Sequence, residues 1–196
     1  MTIRFVFDVE SQGLYGEAFA VGWVVTDGCG QVMEEEFAVC NPEVVVGGDQ
    51  KDVQWLKENV YPWLRGMDAQ FPESGSVSMK DPTTGVPVTI CADHPTLREV
   101  FWRVLERWII RGAEVWADVP VPVEANFLRS CVSASPARKW KAPYPLYDAA
   151  TLSLISGTAG TVTRQENELP AHHPLMDARQ SAREVLVGLK RLGRPL

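Results

Sequence analysis

The chain has 196 residues, is 45% hydrophobic and 22% charged, and carries a formal net charge of −6. That is the composition of an ordinary globular protein, long enough to bury roughly 70% of the surface its unfolded state exposes, and we read residues 1–196 as a single domain. The acidic balance argues against a non-specific nucleic-acid coat, and no apolar run approaches the ~20 residues that cross a bilayer. Met1–Phe5 lacks the apolar core of a signal peptide, so a soluble, cytoplasmic protein is expected. The four cysteines, Cys29, Cys40, Cys91 and Cys131, have neither zinc-site spacing nor a disulfide framework, and we read them as buried or partly buried thiols.

Thr2 to Glu10 reads as a strand, with Ile3, Phe5, Phe7 and Val9 on one face. Phe19 to Thr26 reads as a second strand, Asp27-Gly28-Cys29-Gly30 as a hairpin turn, and Gln31 to Val39 as the returning third strand. Asp49 to Leu64 carries a helical pattern through Val53, Leu56, Val60 and Leu64, with Pro62 placed to bend or break it. Residues 66 to 94 show no sustained period and read as a long surface excursion, with room for a short hairpin through Asp81-Pro82-Thr83-Thr84-Gly85. Leu97, Val100, Phe101, Val104, Leu105, Trp108 and Ile109 then form a helical stripe, opened by a Thr96/Glu99 capping box and ended by Gly112. Glu114 to Asp118 is a short strand, and strand–helix–strand implies a parallel crossover. Further helices are expected from Val123 to Val132, from near Tyr147, and from Asp177 to about Arg191.

Three features carry chemistry. Asp8 and Glu10 stand at i and i+2 of a strand, so both carboxylates leave the same face. Two like charges at the end of an apolar strand are costly unless a cation sits between them, although alone they suit a strand end running into solvent. Asp118 ends the strand after the long helix, where ligands bind in open α/β sheets. Glu124 opens the next helix, where a carboxylate also suits the helix dipole. His172 precedes the last helix, and Asp177 lies in its first turns. A loop histidine with an ordinary pKa near ~6.5 can take a proton from water at neutral pH. Arg138-Lys139-Trp140-Lys141 mixes cations with an aromatic ring, and Arg179, Arg183, Lys190, Arg191 and Arg194 make the C-terminal region basic; both suit a strand of nucleic acid or a solvated surface.

Taken together, Asp8-Val9-Glu10-Ser11-Gln12-Gly13-Leu14 resembles the first motif of the DEDDh branch of the DnaQ-like exonucleases, commonly Asp-x-Glu-Thr-Thr-Gly-Leu. His172 to Asp177, followed by Ala178, resembles the third, commonly His-x-Ala-x-x-Asp-Ala. Leu56–Leu64 and Glu114–Ala117 resemble the small mycobacterial-type 3′–5′ exoribonucleases. The middle motif departs from the family: Phe127-Leu128 is present, but Glu124 stands where an aspartate belongs and Asp118 lies nearer the place of an asparagine. Asp118 ranks slightly ahead as the second-motif ligand for its strand-end position, with Glu124 its rival and with both facing the metals as a further alternative.

The resemblance implies an α/β fold with a ribonuclease-H-like mixed sheet, antiparallel in strands 1–3 and then parallel, flanked by helices. It implies a metal-dependent 3′–5′ exonuclease that releases nucleoside 5′-monophosphates from single-stranded ends, RNA slightly ahead of DNA. Asp8, Glu10, Asp118 or Glu124, and Asp177 would hold two Mg²⁺ or Mn²⁺ ions, hard cations that favour oxygen. His172 would be the general base, and Gly13 and Leu14 would meet the terminal nucleotide. The implied partner is the 3′ end of single-stranded RNA or DNA, with no membrane, and with a homodimer as an open alternative to the monomer. The readings set beside it are a catalytically silent nucleic-acid-binding protein of the same fold, a related endonuclease, and an interaction module using the tryptophans. For the last, core packing is the simpler account of Trp55, Trp102 and Trp108.

Overall fold

The computed structural model describes residues 2–44, 49–64, 71–82 and 84–194. Gly47-Gly48, residues 66–70 of the expected excursion and Thr83 of its turn lie outside the described residues.

The alternation of the first segment becomes strand β1 (Ile3–Ser11), paired antiparallel with β2 (Ala18–Asp27), which pairs antiparallel with β3 (Val32–Cys40). The β2–β3 turn is the expected one: Asp27 Oδ1 accepts from the backbone N–H groups of Cys29 and Gln31, and Gly30 takes φ +90°. Helix α1 (Gln50–Asn59) is capped by Asp49 and stops short of Pro62, with a 3-10 turn over Tyr61–Trp63 in place of its last expected turn.

Residues 71 to 94 contain the expected hairpin through Asp81 to Gly85, closed by the Gly85 N–H on the Asp81 carbonyl, but correct the expectation that the stretch is a surface excursion. Strands β4 (Ser76–Lys80) and β5 (Pro87–Cys91) form an antiparallel hairpin, and β5 joins the sheet parallel to β3. Val88, Ile90 and Cys91 are buried, but five residues are too few to show a period amid Gly, Pro and Ser.

Helix α2 (His94–Ile110) starts earlier than its stripe indicated. Its cap is Asp93, whose carboxylate accepts from the Thr96 N–H, so Thr96 is not the cap of a box with Glu99. Gly112 follows its end with φ +81°. Strand β6 (Glu114–Ala117) lies parallel to β1, and helix α3 (Val123–Ser133) follows. Tyr147 belongs to a three-residue strand, β7 (Leu146–Asp148), parallel to β6. Helix α4 (Ala149–Ser156) begins just after it, capped by Asp148. Helix α5 (Pro174–Arg191) closes the chain.

Among the described residues the result is an α/β architecture with a seven-stranded mixed sheet in the order β4-β5-β3-β2-β1-β6-β7 and five flanking helices. The alternation of β1 assigns the layers. Phe5 and Phe7 pack against Phe101 of α2, while Val6 on the other face clusters with Trp116, Leu152 of α4 and Val185 of α5. Cys40, Cys91 and Cys131 are buried as expected; Cys29, on the hairpin turn, is exposed instead. Among the described residues no helix is long and apolar enough to cross a membrane.

Candidate functional site

The period of β1 that sends Phe7 and Val9 into the α2 layer sends Asp8 and Glu10 to the opposite face at the strand's C-terminal end. Asp8 is paired with Gly22 across the β1–β2 ladder. A Cβ on Gly22 would fall 2.2 Å from the Leu175 nitrogen and 2.3 Å from the Pro174 carbonyl carbon. This glycine therefore lets the first turn of α5 press directly onto the sheet and brings Asp177 over Asp8. Sequence periodicity gave no signal for it, because a glycine inside a strand reads only as a weak point.

Four segments converge there. From β1 come Asp8 and Glu10, from the end of β6 Asp118, from the first turn of α3 Glu124, and from the first turn of α5 Asp177. Asp118 and Glu124, expected as rivals, are both brought in. Glu124 is the more buried, at 5% exposure, and accepts a backbone hydrogen bond from Val9, between the two β1 acids. Asp118 is partly exposed and lies nearer Glu184, Asp177 and Asp148.

The electrostatics are those of acids crowded out of water. Burial pushes the Asp8 carboxyl well up, with the charges of Glu10, Asp177, Glu124 and Asp118 adding to it. Glu10 is raised by burial and by Asp177 and Glu124. Burial raises Glu124 to about 7, and burial together with Glu184, Asp177 and Asp148 raises Asp118 to about 6. Asp177 is raised by burial as well, opposed by Arg164, whose guanidinium lies 2.6 Å from Oδ1. The set is short of positive charge.

His172 stands over this cluster. Its backbone is left-handed, φ 59°, which costs a non-glycine residue ~1–3 kcal/mol unless its surroundings hold it. They do: its N–H donates to Asp177 Oδ2 at 3.0 Å, and its carbonyl accepts from Trp63 Nε1 at 2.6 Å. The exposed ring meets Trp55 edge-on at 4.9 Å between centroids. Ligand atoms of Glu10, His172 and Asp177 all lie within 4.8 Å of one another, close enough to share one metal ion. Carboxylate oxygens with an imidazole are a donor set that suits a divalent cation, and the raised carboxyls supply the reason for one. The neighbouring His173 is fully buried between Phe37 and Trp63 and caps α5 through Nδ1; burial lowers it to about 4. Adjacent histidines thus have separate tasks, one at the cluster and one in the core.

Gly13 and Leu14 lie beside Glu10 of the cluster. They line a cavity of about 300 Å³ together with Glu10, Asp52 and Trp55. Gly13 takes φ +75° and lies so close to Asp52 that a Cβ would fall 2.3 Å from its Oδ2. Leu14 is 62% exposed and Trp55 44% exposed, which corrects the assignment of Trp55 to core packing; Trp102 and Trp108 are buried. Trp55, Trp63, Arg164 and Gly22 are the site residues that sequence reasoning missed.

Four of the other basic residues are engaged with acids outside the cluster. Arg138 pairs with Glu99 and stacks over Trp102, and Lys141 pairs with Glu106. Arg179 and Arg183 are bound to Glu35 and Glu168. His94 is buried, with Nδ1 2.8 Å from the Ala18 carbonyl.

Compared with models of known protein families and with curated proteins, the chain matches none.

Proposed function

We propose that this protein is a metal-dependent 3′–5′ exonuclease that releases nucleoside 5′-monophosphates from single-stranded nucleic acid, with RNA slightly favoured over DNA. One observation carries the reading: five carboxylates from four separate segments are gathered with their pKa values raised, and an exposed histidine stands over them. A fold gains no stability from such a cluster by itself, because each buried like charge opposes the others. The antiparallel β1–β3 followed by the parallel β6 and β7 is compatible with a ribonuclease-H-like arrangement, to which β4 and β5 add an outer hairpin.

On this reading Asp8, Glu10, Asp177 and one or both of Glu124 and Asp118 hold two Mg²⁺ or Mn²⁺ ions. Metal held by these residues would supply positive charge to favour attack by water and departure of the 3′ oxygen. His172 takes a proton from the water on a ring nitrogen. Its exposure keeps the ring in contact with solvent, and the Asp177 and Trp63 bonds to its backbone fix where the ring stands. Leu14 and Trp55 present apolar surface to the base of the terminal nucleotide, with Gly13 on the same cavity wall.

The test is digestion of matched 5′-labelled single-stranded RNA and DNA, with Mn²⁺ or with chelator, by the native protein and Asp8→Ala. A metal-dependent ladder that shortens from the 3′ end and is absent in Asp8→Ala is the expected result, with RNA cut faster. Folded, metal-supplied protein that cuts neither substrate would overturn the enzyme reading and leave a catalytically silent nucleic-acid-binding protein.

A further inference from the structure

Beside the acid cluster lies a second, larger cavity of about 740 Å³, between the β1–β2 loop and the facing helices α2 and α3. One wall carries Arg98, one turn after His94 on α2; the other carries Asn126, Arg129 and Ser130 of α3; Tyr15 stands at the loop. Ser11 and Val123 line both this cavity and the smaller one at Leu14. Ser11 and Val123 thus border both spaces, and in the chain they are next to two cluster acids, Glu10 and Glu124.

Like nine other cations among the described residues, the groove's Arg98 and Arg129 stand in no ion pair. Ion pairs among the described residues take Arg4, Arg107, Arg138, Lys141, Arg164, Arg179 and Arg183. Arg98 Nε is buried without a hydrogen-bond partner. The lining itself holds one carboxylate, Glu17, and Asp93 at the cap of α2 also acts on Arg98. Tyr15 is 82% exposed, an apolar ring held in water at the groove's mouth. A planar ring, two guanidiniums and amide and hydroxyl groups along one channel match a phosphodiester backbone with a stackable base.

We infer that this groove binds the nucleotides upstream of the terminal one, Arg98 and Arg129 contacting successive phosphates and Tyr15 stacking on a base, an inference that rests on the exonuclease reading of the adjoining cluster. The groove explains how a chain of net charge −6 holds a polyanion: the contact is confined to one channel.

The experiment is fluorescence anisotropy of 5′-labelled oligouridylates of two and of six nucleotides, in chelator, over a range of salt, so that binding is read without turnover. The native protein should bind the hexamer about tenfold more tightly than the dimer. The double variant Arg98→Ala/Arg129→Ala should lose that gain, and its salt slope on the hexamer should fall by about 1.4, or ~0.7 for each phosphate contact. Arg129→Glu, a change at an exposed position that leaves packing alone, should by itself weaken hexamer binding more than dimer binding. Equal native affinity for the two lengths, no binding of either, or an unchanged slope in the double variant would overturn the inference. The outcomes separate it from the enzyme reading: tight, arginine-dependent binding without cleavage keeps the groove and loses the enzyme, while cleavage without a length gain does the reverse.

Discussion

Glu124→Gln should stabilise the protein while weakening its response to metal. The Glu124 carboxyl is raised from an ordinary 4.5 to about 7. At ~1.4 kcal/mol for each pH unit, that gap amounts to roughly 3 kcal/mol as an upper bound, since neighbouring groups relax. The sign follows from proton binding. Between pH 4.5 and about 7 the folded state holds this proton and the unfolded state has lost it, so native stability falls as pH rises through the window and levels off above it. The carboxamide is uncharged at every pH and keeps an oxygen to accept from the Val9 N–H. Urea or thermal denaturation in chelator should show no difference between native and Glu124→Gln at pH 4. At pH 8 the variant should gain ~1–3 kcal/mol, or roughly 2–12 °C in Tm at 2–4 °C per kcal/mol. Saturating Mn²⁺ should reverse the order, because a ligand at a hundred times its Kd adds ~2.7 kcal/mol to the protein that binds it, and the variant has lost one anionic donor. A variant that is less stable at pH 8, or shifted equally at pH 4 and pH 8, would refute the argument that Glu124 is a charge held against its preference.

His172→Asn, which keeps a residue tolerant of the left-handed backbone, should lower cleavage of labelled RNA by ~10²–10⁴-fold with little change in Tm; near-native rates would remove the histidine from the proton transfer. Arg164→Gln removes a positive charge 2.6 Å from Asp177 and should tighten Mn²⁺ binding roughly three- to tenfold by titration calorimetry, while weaker binding would assign Arg164 to holding Asp177 in place. Gly22→Ala drives a methyl group into the Pro174–Leu175 backbone and should cost at least ~1–3 kcal/mol in urea denaturation. It should also diminish the Mn²⁺-induced rise in Tm, because Asp177 moves with α5; a stable variant with a native response would show that the close contact is dispensable.

Much of this protein is legible one segment at a time. Strand β1 announces itself by a period of two, and the same period puts Asp8 and Glu10 on one face. Helices α2 and α5 announce themselves by their apolar stripes, and Asp27 to Gly30 by local turn chemistry. These are properties of near neighbours in the chain, and they decide local structure. Strands β5 and β7, of five and three residues, carry no readable period and exist because β3 and β6 offer them an edge. The ranking of Asp118 over Glu124 rests on its strand-end position, yet a strand end and a helix start adjoining the same strand can both reach one point, and here both acids join the cluster. Trp55 reads as a core side chain, yet it lies exposed against His172, and Trp63, in the same segment, holds the His172 carbonyl. Arg164 lies in a segment without a motif, and Gly22 has no side chain to give a pattern. What the sequence determined by itself was which segments are strands or helices and which acids each can present. Only the tertiary structure decided that those acids meet, because their meeting depends on contacts such as Gly22 against Leu175, made between residues far apart in the chain.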